Sequence, residues 1–66
     1  MKDLSPQQQR VYDEIAAFQQ ENGYTPPMRV LGEKMGISLF TVAVHIKKLI
    51  EKERARRVSP RHIKLM

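Results

Sequence analysis

Apolar residues recur at helical spacing in the first third of the chain. Val11, Ile15 and Phe18 stand three or four positions apart, which places them on one face of a helix. The letters "SPQQ" before them supply a serine cap, a proline for the first helical position and a glutamine that can reach back to the cap. The letters "NG" supply a left-handed stop. The pattern predicts helix 1 from about Pro6 to about Glu21.

The letters "YTPP" interrupt this pattern, because a proline restricts the residue before it to extended geometry. Met28, Leu31 and Met35 then mark the inner side of a short helix 2, which ends at Gly36. Gly32, in the middle of that helix, has poor helix propensity and therefore indicates a place where another helix approaches closely.

The letters "GIS" predict the turn into helix 3. The glycine takes a positive φ, the isoleucine enters the core and the serine caps the helix. Val42, Ile46 and Leu49 form an inner stripe at helical spacing, which predicts helix 3 over residues 39–52. His45 lies at the edge of this stripe, and we interpret it as a packed, hydrogen-bonded residue rather than a ligand contact.

The last letters, "RARRVSPRHIKLM", lack helical periodicity and contain an "SPR" turn between short apolar positions. This pattern predicts a β-hairpin. Three helices followed by a hairpin predict a mainly α fold with a small β-hairpin, the winged helix-turn-helix. We expect a single domain over residues 1–66, with the helix-turn-helix at about 27–49 and the two-stranded wing at about 54–66.

Positive charge is concentrated at the end of the chain. Residues 1–46 hold four basic and five acidic residues, whereas residues 47–66 hold eight basic and two acidic ones. A folded segment with one-sided basic charge is typical of proteins that bind polyanions. A solvated cationic tail is the alternative interpretation.

Other classes of function have little support in the sequence. There are no cysteines, and His45 and His62 lie seventeen positions apart without a cluster of acidic ligands, so we expect no metal and no other cofactor. No carboxylate, histidine and hydroxyl stand at spacings that the predicted elements would bring together for catalysis. Without a signal peptide or a long apolar run, we expect a soluble cytoplasmic protein with no membrane partner.

Residues spread over almost the whole chain match the pattern of one known family. They are Leu4, Ser5, Gln8, Val11, Tyr12, Ile15, Gly23, Tyr24, Pro26, Arg29, Leu31, Gly32, Gly36, Thr41, Val42, His45, Ile46, Leu49, Lys52, Arg56, Arg57, Arg61, His62, Ile63, Lys64 and Leu65. On these residues the chain resembles the N-terminal DNA-binding domain of the LexA repressors. The resemblance implies a winged helix, double-stranded DNA as the partner, and transcriptional repression of the SOS-response type in a bacterium or bacterial virus.

The chain departs from the family pattern at three places. Pro27 occupies the position of the serine or threonine that usually caps helix 2. The turn before helix 3 is one residue shorter, which would shift that helix. Glu53 replaces the glycine that usually ends helix 3, so we expect the helix to end differently or a little later.

LexA repressors also carry a second domain, whose serine-lysine dyad cleaves the chain and which provides most of the dimer contact. No segment of this sequence matches that domain. We therefore expect no enzyme activity, and either an excised N-terminal domain or a free-standing small protein.

A helix-turn-helix presents to the bases the residues at the start of its second helix and those one and two turns later. We call these residues the outer face: Ser38, Leu39, Phe40, Ala43, Val44 and Lys47. The serine and the lysine can form hydrogen bonds, but the other four can read only the thymine C5-methyl group. We therefore expect a target site that is thymine-rich at the contacted steps.

A second set of basic residues is suited to DNA phosphates, which position a protein without reading sequence. This backbone and wing set is Arg29, Lys48, Lys52, Arg56, Arg57, Arg61 and Lys64. The "SPR" turn at the wing tip is the candidate for reaching a minor groove. Because one module buries limited surface, we expect a homodimer on DNA.

Two alternatives for the outer face stay open. Phe40 could pack against helix 2 and complete the core. Leu39, Phe40 and Val44 could instead form an exposed apolar patch that docks a protein partner, which would make the domain a protein-interaction module.

Overall fold

The computed structural model describes residues 3–66 and consists of three helices followed by a two-stranded antiparallel hairpin. The elements are α1 (Pro6–Asn22), α2 (Met28–Met35), α3 (Leu39–Glu51), β1 (Ala55–Ser59) and β2 (His62–Leu65). The predicted fold, mainly α with a small β-hairpin, is confirmed. Met1 and Lys2, with which the predicted domain begins, lie outside the described residues.

Helix α1 begins and ends at the signals read from its sequence. The Ser5 hydroxyl accepts a hydrogen bond from the backbone N–H of Gln8 at 3.2 Å, and the backbone N–H of Ser5 donates to Gln8 Oε1 at 3.1 Å. This reciprocal contact satisfies two amides that a helix start would otherwise leave unpaired. At the other end Gly23 adopts φ +78° and donates its N–H to the Gln19 carbonyl. The helix ends one residue later than predicted.

Gly32 is required by a close approach, but its nearest neighbour is not the one expected. A Cβ atom at this position would lie 2.8 Å from the carbonyl oxygen of Ile37 and 3.5 Å from Cγ2 of Val42. The nearest atom therefore belongs to the turn backbone, and the side chain from α3 comes second. The Ile37 N–H also donates to the Gly32 carbonyl at 2.9 Å, so the turn folds directly onto α2.

The core lies between the three helices, with the hairpin closing one side. Both α1 and α2 pack against α3, and β1 packs against the same helix. The buried apolar side chains are Val11, Ile15, Leu31, Val42, Ile46, Leu49, Ala55 and Ile63. The predicted inward position of Met28 is wrong, since 42% of this residue is exposed. It stands in the first turn of α2, at the rim of a cleft beside the wing rather than over the core.

The end of α3 keeps the geometry of a glycine stop without a glycine. Glu53 has φ +60°, the only positive φ among the non-glycine residues that the structure describes. Its N–H donates to the Ile50 carbonyl at 3.0 Å, and the Arg54 N–H donates to the Leu49 carbonyl at 2.9 Å. These two bonds are the pair that defines a Schellman motif. The helix ends at Glu51, one residue earlier than predicted.

Candidate nucleic-acid interface

The outer face of α3 is exposed along its whole length. All six of its residues are solvent-accessible, and the large apolar ones stand out: Leu39 is 51% exposed, Phe40 78% and Val44 38%. The alternative in which Phe40 packs against helix 2 is therefore wrong. Thirteen residues of helix thus carry a buried stripe on one side and an exposed apolar surface on the other.

The start of α3 limits the polar chemistry of this surface. The Ser38 hydroxyl accepts a hydrogen bond from the Thr41 N–H at 3.2 Å and lies 3.0 Å from the Thr41 hydroxyl. Capping therefore occupies most of the hydrogen-bonding capacity of Ser38, because a hydroxyl has one proton and two lone pairs. Lys47 remains as the polar side chain of the outer face that carries no structural bond in the part of the chain described.

One lysine assigned to DNA phosphates from the sequence has a different role in the structure. The Lys52 ammonium group donates to Gln8 Oε1 at 2.6 Å and to the Asp3 carbonyl at 2.8 Å. Lys52 is half-buried and ties the end of α3 to the start of α1. A helix turns by about 100° per residue, and Lys52 is thirteen positions beyond Leu39. This rotation places Lys52 at the flank of α3, away from the centre of the outer face. We therefore remove Lys52 from the backbone set.

The other members of the backbone and wing set are exposed: Arg29, Lys48, Arg56, Arg57, Arg61 and Lys64. Lys48 lies 3.5 Å from Glu51, and both side chains are about half exposed. An ion pair so open to solvent has little strength, so it leaves Lys48 available to another anion.

The wing carries like charges directly opposite one another. In the register of the hairpin Arg56 pairs with Lys64, and Arg57 pairs with Ile63. Like charges at opposite positions destabilise a strand pair. A polyanion bound along this strand pair would remove that repulsion. Arg61 lies in the turn between the strands, and the pairing is irregular between Arg57 and Ser59.

A hydrogen-bond network that was not predicted joins the wing to the connection between α1 and α2. We call it the Thr25 network: Gln19, Thr25, His62 and Ile63. The Thr25 hydroxyl lies 3.0 Å from Gln19 Nε2, 3.0 Å from the Ile63 backbone nitrogen and 2.9 Å from His62 Nδ1. Gln19 Nε2 also donates to the Ile63 carbonyl at 2.7 Å. A threonine held extended by the proline after it is the one local signal that could have pointed here.

A cleft of about 550 Å³ separates the wing from the start of α2. Its walls are mainly apolar, with Tyr24, Met28 and Pro60 among them, and Arg57 and Arg61 also line it. The Arg57 guanidinium donates to the Pro60 carbonyl at 3.4 Å, a long bond that leaves the group largely free for other partners.

His45 is packed as expected but not hydrogen-bonded as expected. It is half-buried on α3, and its Nδ1 atom is buried without a hydrogen-bond partner. The inferred hydrogen bond is therefore wrong for this nitrogen. Residues 3–66 contain no group of three potential ligands that could hold a metal ion. Within the same range no helix has the length and apolar character to cross a bilayer.

The fold and the exposed surface define a class of protein. A three-helix core with a basic hairpin, and a second helix of the helix-turn-helix that exposes one face, is the winged helix-turn-helix of nucleic-acid-binding proteins.

Comparison with known proteins narrows the class to one family. The model of the LexA DNA binding domain matches residues 1–61. The LexA repressor of Staphylococcus epidermidis is 38% identical over 69 aligned positions, which cover 100% of this chain and 34% of that protein. The LexA repressor of Staphylococcus haemolyticus is 36% identical over 100% of this chain, and that of Staphylococcus aureus strain Newman is 40% identical over 79% of it. The chain belongs to the LexA DNA-binding domain family. It spans about a third of the length of the Staphylococcus epidermidis and Staphylococcus haemolyticus repressors and matches 26% of the strain Newman protein.

Proposed function

We propose that this domain binds double-stranded DNA in a sequence-specific manner and represses transcription by occupying its site. The observation that carries the proposal is the exposed outer face of α3 next to a wing that bears like charges in opposite positions. Membership in the LexA DNA-binding family favours DNA over a protein partner for this surface. Repression by occupancy requires binding alone, so no reaction chemistry is invoked.

In this proposal α3 lies in the major groove and its outer face meets the base edges. Leu39, Phe40, Ala43 and Val44 contact thymine C5-methyl groups, the one major-groove feature that an apolar side chain can distinguish. Lys47 reaches a guanine edge or a phosphate. Ser38 contributes less to base reading than its position suggests, because it caps α3 through the Thr41 amide.

Basic residues around the outer face position the domain on the phosphates. The proposed set is Arg29, Lys48, Arg56, Arg57, Arg61 and Lys64, all of them exposed. The turn Ser59-Pro60-Arg61 enters the neighbouring minor groove. In this arrangement the apolar residues of the outer face provide sequence specificity. The basic residues provide affinity alone, since phosphate contacts carry no sequence information.

The proposal includes two copies on one site. A single module buries on the order of 600–1,000 Å² on DNA, which is small for tight binding. Two copies on half-sites about one helical turn apart would double that surface. A DNA ligand would place the domain with the bacterial nucleoid in the cytoplasm.

Selection of bound sequences from a random duplex pool tests the proposal directly. We expect enrichment of a site with thymines at fixed positions, in two half-sites. Affinity for that site should fall steeply between about 50 and 200 mM salt, because released counterions drive phosphate binding. Absence of any enriched sequence, together with binding to random duplex that is indifferent to salt, would refute the proposal and favour a protein partner for Phe40 and its neighbours.

A further inference from the structure

We propose that Thr25 is a positioning residue that fixes the wing for DNA binding, acting with Gln19 as a substitute for a third strand at the free edge of β2. The effect on DNA rests on the proposed function, whereas the effect on the wing does not. The Thr25 network links three separate parts of the chain: the last turns of α1, the connection to α2, and the wing.

The network replaces the bonds that a neighbouring strand would make. In an antiparallel pair, a residue either exchanges both backbone bonds with the residue opposite or directs both to the outer edge. The Ile63 N–H donates to the Thr25 hydroxyl at 3.0 Å, and the Ile63 carbonyl accepts from Gln19 Nε2 at 2.7 Å. Ile63 therefore directs both groups away from its partner Arg57, and both find side chains there.

The network also reaches His62, the first residue of β2. The Thr25 hydroxyl accepts from Gln19 Nε2 and from the Ile63 N–H, which occupies both of its lone pairs. Its own proton then has two acceptors within reach: His62 Nδ1 at 2.9 Å and the Ile63 carbonyl at 3.4 Å. The His62 contact is the shorter of the two, and it is a hydrogen bond from Thr25 in the tautomer whose Nδ1 carries no proton.

The helical body holds Thr25 in place through residues on either side of it. Gly23 ends α1 with φ +78°. The ring of Tyr24 makes a T-shaped contact with the ring of Phe18, with centroids 5.3 Å apart. Pro26 is buried and keeps Thr25 extended. A hydroxyl fixed in this way can set the position of β2. Arg61 lies in the wing turn directly before His62, the first residue of β2, so its position is set as well.

The first experiment measures the wing without DNA. Thr25→Val keeps the branched shape and removes the hydroxyl, whereas Thr25→Ser keeps the hydroxyl. We expect the Ile63 amide to exchange with solvent about tenfold faster in Thr25→Val, relative to the amides of α3, because it loses its acceptor. Thr25→Ser should restore the wild-type ratio. An unchanged ratio in Thr25→Val would overturn the proposal. If Thr25→Val fails to fold, Thr25→Ala takes its place, because it also removes the hydroxyl that accepts from the Ile63 N–H.

The second experiment asks whether Thr25 acts through the wing. Arg61→Ala is combined with Thr25→Val, and affinity for the selected duplex is measured at several salt concentrations. A positioning role predicts that Arg61→Ala costs less affinity in the Thr25→Val background, with a coupling of about threefold or more. Thr25→Ser should retain the wild-type response to Arg61→Ala. Strict additivity would overturn the positioning role. If the wild-type chain binds no duplex, the proposed function fails, while the exchange experiment still decides whether the network holds the wing.

Discussion

The two sides of α3, the inner stripe and the outer face, are both apolar, but the inner side is buried and the outer side is exposed. Val42, Ile46 and Leu49 are at most 3% exposed, whereas Leu39 and Phe40 are more than half exposed. Both sides sit on the same thirteen-residue helix, so composition cannot separate them. The angular position around the helix separates them, because the inner side is buried in the core and the outer side is exposed.

Apolar surface exposed to water is unfavourable, so a large exposed apolar patch on a small domain indicates a binding role. Exposed patches on monomeric proteins are small, and larger ones mark binding sites. Under the proposed function, the inner side contributes to folding and the outer side to recognition. This division predicts that substitutions on the two sides separate stability from binding.

The largest effect is expected when the same substitution, leucine to alanine, is made on each side of α3 in turn. Leu49→Ala should lower the free energy of unfolding by about 2 to 5 kcal/mol, since Leu49 is fully buried. Leu39→Ala should change it by about 0.5 kcal/mol or less, because half of that residue is already in water. Urea unfolding followed by circular dichroism measures both.

A domain of this size has a stability on the order of 5 kcal/mol, so Leu49→Ala is expected to populate unfolded chains. Ile46→Val, with an expected loss of about 0.5 to 1.5 kcal/mol, gives a graded reading of the same side. Equal losses from the two leucine substitutions would show that the outer face is also packed, and the comparison would fail.

The next effect tests what the outer face reads. Replacing contacted thymines of the selected duplex by deoxyuridine removes only the C5-methyl groups, and it should weaken wild-type binding by about 1 kcal/mol per contacted methyl. Phe40→Ala should lower specific affinity by about 1 to 3 kcal/mol and leave stability unchanged. The variant should also lose sensitivity to deoxyuridine at the step that Phe40 contacts. Wild-type indifference to deoxyuridine would exclude thymine reading while leaving phosphate binding intact.

A matched pair of lysines on α3 separates charge for DNA from charge for folding. Lys48→Met should reduce the slope of log affinity against log salt by about 0.9, the contribution of one phosphate contact, without loss of stability. Lys52→Met should leave the slope unchanged and lower the free energy of unfolding by about 1 to 2 kcal/mol, since it breaks the bonds to Gln8 and Asp3. A change of slope in Lys52→Met would return that residue to the phosphate contacts.

The sequence predicted features that depend on nearby residues. The Ser5 capping contact and the Gly36 turn each involve positions within a few residues, so their signals are complete in a short stretch of chain. The inner stripe of α3 was also readable, because helical spacing alone fixes which residues share a side.

The features that the sequence did not predict depend on contacts between distant parts of the chain. Lys52 meets Asp3 and Gln8 across 49 and 44 positions, and Thr25 meets Ile63 across 38. A lysine with exposed neighbours looks the same in sequence whether it binds a phosphate or a glutamine. Only the way in which α1 packs beside the end of α3 decides between the two.

The smallest expected effect concerns Glu53, whose positive φ stops the chain from continuing the helix two residues after Glu51. Glu53 holds φ +60°, a conformation that costs a residue with a Cβ atom about 1 kcal/mol relative to glycine. Glu53→Gly and Glu53→Ala both remove the side chain, but only glycine also relieves the backbone. Glu53→Gly should therefore unfold at a higher urea concentration than Glu53→Ala, by the equivalent of about 1 kcal/mol, with unchanged DNA specificity. Equal stability of the two variants would mean that α3 ends by a different geometry in solution, and the start of the wing would then shift with it.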